Sequence, residues 1–81
     1  SSGTKQYENC EYIKALDYLL PLKNILLDAD FLIAECYFKL KQYTNSLKYL
    51  NLIEKSIEKS IGLEAKTYNL IAEIYLKTSD Y

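Results

Sequence analysis

The chain has no arginine, histidine, methionine or tryptophan, and only two cysteines, two glycines and one proline. Without arginine there are no guanidinium forks for phosphate or guanine. The ten lysines are spread along the chain against eleven acids, for a net charge of −1. A nucleic-acid reader would carry a basic face, so no nucleic-acid partner is expected. Without histidine, acid–base chemistry would fall to Asp, Glu, Lys, Tyr or Cys, and none of these forms a recognisable constellation. No catalytic residue, cofactor site or metal site is expected. Cys10 and Cys36 have neither CxxC spacing nor histidines to complete a zinc set, and read as free thiols. That fits an intracellular protein of the cytoplasm or nucleus. The longest uncharged apolar run, Tyr18 to Leu22, is far too short to cross a bilayer, so no membrane partner is expected either.

What is present is apolar and aromatic: 49% of the 81 residues are hydrophobic, nine of them tyrosine. A chain of this size buries only about 60 to 65% of the surface that its unfolded form exposes, so its stability margin is thin. Between the scarce breakers the apolar residues recur at three and four, which predicts an all-α fold of about four helices. The first helix is expected from about Glu8 to Leu20, with Tyr12, Ala15, Leu16, Leu19 and Leu22 on one side and Pro21 ending it. Asp28 or a neighbour would cap a second helix reaching about Leu40. Its apolar set, Phe31, Ile33, Ala34, Tyr37, Phe38 and Leu40, wraps beyond one stripe, as on a helix packed from several sides. Thr44 or Asn45 would start a third, with Leu47, Leu50, Ile53 and Ile57 inward, and Gly62 would stop it. A fourth, from about Leu63 to Lys77, would present Tyr68, Ile71, Ala72 and Tyr75.

The strongest signal is internal. Ile33-Ala34-Glu35-x-Tyr37-x-Lys39 recurs as Ile71-Ala72-Glu73-x-Tyr75-x-Lys77, thirty-eight residues later, and Tyr43 and Tyr81 keep the same offset. A self-match at this period is the signature of stacked helix pairs, because one pair cannot cover its own apolar faces. These residues resemble the tetratricopeptide motif, in which a small residue lets two helices approach and a tyrosine one turn later packs across the pair. Ala34 with Tyr37 and Ala72 with Tyr75 match those slots. Tyr43 and Tyr81 match the turn, Ser46 the small residue of the second helix, and Leu50 and Ile53 its aliphatic followers. Tyr12, Ala15, Leu19 and Leu22 fit the second half of an earlier repeat.

The resemblance implies part of a right-handed α-solenoid of antiparallel helix pairs. Residues 1–7 would be a disordered or cloning-derived lead, 8–26 the second half of a preceding repeat, 27–62 a complete repeat and 63–81 the first half of a following one. The pattern departs from the family where Lys41 and Ser79 stand in place of a turn glycine and Asp30 in the aromatic slot that Tyr68 fills. The interval also lengthens from thirty-one residues, Tyr12 to Tyr43, to thirty-eight, Tyr43 to Tyr81. That requires an extended third helix or a longer loop around Ser56 to Gly62. A related helix-pair repeat or a plain four-helix bundle without a groove are the alternatives.

In the family the first helix of each repeat lines a concave groove, and co-chaperone members hold a terminal carboxylate there with Lys, Asn and Arg. The matching positions carry Asp28, Phe31, Leu32 and Glu35, then Lys66, Asn69, Leu70 and Glu73, so only Lys66 fits such a clamp. What remains is an apolar trough of Phe31, Leu32, Phe38, Leu70 and Leu76, edged by Glu35, Glu73, Lys39 and Lys77. It suits an extended or amphipathic helical protein segment, or a neighbouring subunit; the alternative is that adjoining helices cover it. Glu35 with Lys39 and Glu73 with Lys77, four apart with the acid first, read as intrahelical ion pairs, and the run Glu54-Lys55-x-x-Glu58-Lys59 as a solvated helix face.

The expected function is therefore a non-catalytic protein–protein interaction scaffold in a multi-subunit assembly, with homo-oligomers through exposed solenoid ends. The competing class is an adaptor or regulatory domain attached to an enzyme elsewhere in the gene. The stretch Asp30 to Phe38, followed by Tyr43 and Ser46-Leu47, also looks like the amino-terminal repeats of the large repeat subunits of the anaphase-promoting complex. That resemblance implies homodimeric scaffolding in a nuclear ubiquitin ligase of the cell cycle.

Overall fold

The structure is a computed structural model that describes residues 2–23, 25–56 and 59–79, with side chains from Cys10 onward. Its described residues are all-α, with no strand: α1 spans Ser2–Leu19, a 3-10 turn Leu20–Leu22, α2 Leu27–Lys39, α3 Tyr43–Lys55 and α4 Ile61–Thr78. None of these helices is long and apolar enough to cross a membrane. α1 starts at Ser2, ahead of the expected Glu8, so residues 2–7 are helix rather than a disordered lead. Pro21 tightens the chain after α1 into the 3-10 turn, since its ring supplies no N–H to continue the helix.

The remaining helix ends follow from local hydrogen bonding, not always at the residues expected. Leu26, not Asp28, occupies the N-cap of α2, without a side-chain cap; Asp28 and Asp30 sit in the first turn, where the helix dipole favours them. At the far end the Lys41 amide donates to the Phe38 carbonyl (3.0 Å) and the Gln42 amide to that of Tyr37 (2.8 Å). This is a Schellman termination, and Lys41 takes its left-handed position at φ 64°. α3 then starts at Tyr43, one residue before Thr44, with the Gln42 side chain accepting from Asn45 Nδ2 at 2.9 Å.

α3 ends at Lys55, and its last carbonyls are met by a side chain from beyond the helix. Lys59 Nζ donates to the Glu54 carbonyl at 2.9 Å and to that of Ser56 at 3.0 Å. Glu54 and Lys55 are exposed in the last turn of α3, as a solvated helix face would have them, whereas Lys59 folds back onto the helix terminus. Glu58, like the expected inward residue Ile57, lies outside the described residues. Gly62 does not stop α3. It sits in the first turn of α4 without a positive φ, because Ser60 caps that helix, its Oγ accepting from the Leu63 amide at 3.1 Å. The longer second interval is taken up by helix rather than by the loop: α3 reaches Lys55, twelve residues past Tyr43, whereas α1 ends seven past Tyr12, and α4 has 18 residues to the 13 of α2.

α2 is the central element and packs on α1, α3 and α4, most extensively on α3, while α3 also packs on α4. Ala34 and Ser46 meet between α2 and α3, both fully buried, with Ser46 Oγ donating to the Ala34 carbonyl at 2.8 Å. Tyr37 stacks on Tyr49 across the same pair, ring centroids 5.8 Å apart and planes 24° off parallel. Leu16, Ile33, Leu50, Ile53, Leu63, Leu70 and Ile74 complete the core. Among the described residues α1 and α4 do not touch. The molecule measures 42 × 33 × 19 Å, the least dimension being about two helix diameters. Its radius of gyration of 13.1 Å exceeds the roughly 12 Å of a compact chain of this length. It is a flattened slab of four helices.

α4 turns a different face inward from the one expected. Leu63, Thr67, Leu70 and Ile74 are buried, whereas Tyr68, Ala72 and Tyr75 are exposed and Ile71 is half-buried. The expected stripe is the one that α2 places under α3. α4 has no helix over it among the described residues, and only its flank toward α2 and α3 is covered.

Candidate functional site

The eleven residues expected to form one trough are divided by the ridge of α2. On one side, Phe31 and Glu35 of α2 face Lys66, Asn69, Leu70 and Glu73 of α4 across an open groove of about 270 Å³. The spacings explain the wall: Phe31 and Glu35 are one turn apart, and the α4 residues recur at three and four, so each set shares a helix face. Leu70 is buried and forms the floor. One ammonium, one carboxamide and two carboxylates line the rim.

On the other side, Leu32, Glu35 and Lys39 belong to a larger groove of about 450 Å³ between α1 and α2. Its opposite wall is Glu11, Tyr12, Ala15 and Leu19, with Cys36 at the base. Glu35 borders both grooves. Burial, with the Glu35 carboxylate adding to it, pushes the Cys36 thiol above its ordinary value, so the sulfur stays protonated and works as packing. Tyr37 shifts the same way, chiefly from burial and then from Tyr49, with Lys23 opposing.

Three expected residues lie outside both grooves. The Phe38 ring packs on Tyr43, centroids 5.7 Å apart, and supports the α2–α3 turn. Leu76 and Lys77 continue the α4 stripe but lie beyond Glu73, the last α4 residue on the groove wall; α2 and α4 meet over a short stretch only. Sequence reasoning also missed a third hollow of about 300 Å³ at the amino-terminal ends of α2 and α4, bordered by the exposed Ile25 and Leu26. The apolar run Ile25-Leu26-Leu27 was its available signal. No group of three or more metal-ligating side chains occurs among the described residues.

What this arrangement offers chemically is a pair of shallow channels that combine apolar side chains with mixed-charge rims. No protein-family model, no curated protein and no solved structure matches the chain.

Proposed function

We propose that this chain is a non-catalytic scaffold for protein–protein interaction, built of tetratricopeptide-type helix pairs in a right-handed stack and belonging to an intracellular multi-subunit assembly. The observation that carries the reading is the Ala34–Ser46 contact: the two small residues stand in the two slots that the repeat pattern assigns them, and one helix pair closes over them. The serial packing of α1 to α4 and the open slab support it further. The binding surface is the α2/α4 groove, where Phe31 and Leu70 offer apolar contact and Glu35, Lys66, Asn69 and Glu73 set polar register along a bound segment. The likeness of residues 30–38 to the repeats of the anaphase-promoting complex makes a ubiquitin-ligase scaffold one instance of such an assembly.

The test is selection of binders from a random-peptide display library, repeated with a Lys66→Glu, Asn69→Arg variant. Both positions are exposed, so the helical circular dichroism should be unchanged. Peptides with apolar anchors that bind the wild type and are lost by the variant are expected. Peptides that bind both equally, or no selected peptides at all, would overturn the assignment of the groove.

A further inference from the structure

Two stretches of the chain match in a way that the thirty-eight-residue repeat does not include. Tyr12-x-x-Ala15-Leu16-x-Tyr18-Leu19 in α1 and Tyr43-x-x-Ser46-Leu47-x-Tyr49-Leu50 in α3 share one pattern of tyrosine, small residue and leucine at an offset of thirty-one. α1 is thus a second copy of α3 in sequence, as α4 is a second copy of α2. Within the fold, α3 has an α2 to cover, with Ser46 on Ala34 and Tyr49 on Tyr37. Among the described residues neither α1 nor α4 has the equivalent partner.

The exposures record this. Tyr49 is buried, but its counterpart Tyr18 is 78% exposed; Tyr37 is half-buried, but its counterpart Tyr75 is 59% exposed. Ala34 is fully buried and Ala72 is open. Leu70 is buried against α2, whereas Leu32, thirty-eight residues earlier, is 46% exposed on the α1/α2 groove. Each open position at one end of the slab has its complement at the other.

We infer that a second copy of this chain docks head to tail, its α4 lying along the α1/α2 groove. The second copy's Ala72 then meets Ala15 as Ala34 meets Ser46, and the second copy's Tyr75 stacks on Tyr18 as Tyr37 stacks on Tyr49. The groove of about 450 Å³ carries Tyr12, Ala15 and Leu19, which correspond to Tyr43, Ser46 and Leu50 on α3, together with Leu32 on α2. Self-docking of this kind rests on the helix-pair reading proposed above and extends it by naming the occupant. The two faces differ, so the contact is heterologous: each added copy leaves one face free, and growth continues until a ring closes or a filament forms. The α2/α4 groove stays uncovered throughout.

The test is sedimentation velocity over a concentration series with three forms of the chain. Tyr18 and Tyr75 are both exposed, so Tyr18→Arg and Tyr75→Arg should keep wild-type helicity; should either lose it, Tyr18→Ser and Tyr75→Ser take their place. Wild type is expected to sediment faster with concentration, past the dimer. Each variant alone should remain monomeric, and an equimolar mixture should give dimers that grow no further, because it holds one intact α1 face and one intact α4 face. A wild type that stays monomeric at several hundred micromolar overturns the inference, as does a single variant that associates like wild type. A monomeric wild type that still binds its groove-dependent peptides would sink self-docking while leaving the scaffold reading in place.

Discussion

Ser46 and Ala34 join α2 to α3 through a buried hydrogen bond of 2.8 Å from the serine hydroxyl to the alanine carbonyl. Two consequences are separable by mutation. Ser46→Ala keeps the close approach and removes one buried hydrogen bond, at a cost of about 1 kcal/mol. Ser46→Leu puts a larger side chain at a fully buried site between the helices and should cost about 3 kcal/mol or more. Urea denaturation followed by far-ultraviolet circular dichroism will rank them. Equal losses would mean that the hydrogen bond, not the spacing, holds the pair.

Lys41 ends α2 at φ 64°, a conformation that crowds any Cβ against its neighbouring carbonyl. Lys41→Gly relieves that crowding while leaving both Schellman hydrogen bonds in place, and should stabilise the fold by about 1 kcal/mol. For a chain of this size the melting temperature should rise by roughly 4 to 8 °C. An unchanged or lower melting temperature would show that the lysine side chain contributes at least as much as the strain costs.

The helices were legible because their apolar residues recur at three and four and little else interrupts them. The ends were less so. Gly62 looked like a stop, but a glycine without positive φ is tolerated in a first turn, and the signal that decides that end is the Ser60 hydroxyl two residues earlier. Lys59 looked like surface charge because periodicity cannot show that a flexible side chain folds back onto carbonyls. Six of the eleven groove residues do meet across α2 and α4, since the internal repeat fixes which faces correspond. It does not fix how far two neighbouring helices run together, which is why Leu76 and Lys77 fall outside. The inward face of α4 was misread for a related reason: the repeat assigns Tyr68, Ala72 and Tyr75 to a partner helix, and the pattern alone does not say whether that partner is there.

Thr67 is buried, yet its Oγ1 has no hydrogen-bond partner. A buried hydroxyl without a partner costs free energy that a methyl group of the same shape does not. Thr67→Val should therefore stabilise the fold by about 1 kcal/mol, with little change in helix propensity. The same denaturation series measures it. A loss of stability would indicate that a water molecule or a small rotation satisfies the hydroxyl in solution.

Cys36 and Cys10 should separate in both reactivity and pH response. In the native protein the exposed Cys10 should take up iodoacetamide while the buried Cys36 does so only in denaturant, as mass spectrometry of the digested protein will show. The pH response follows from the sign of the shift. Burial raises the Cys36 value above its ordinary 9.0, so the folded state holds the proton more tightly than the unfolded state. Its contribution to stability is complete below pH 9 and is lost as pH rises through the folded value. Tyr37, raised above its ordinary 10.0 mainly by burial, acts in the same direction at higher pH. Unfolding free energy should therefore decline above pH 9, and Cys36→Ala should make the first part of that decline shallower while leaving the later part. An identical slope in the variant would place the alkaline sensitivity on the tyrosines alone.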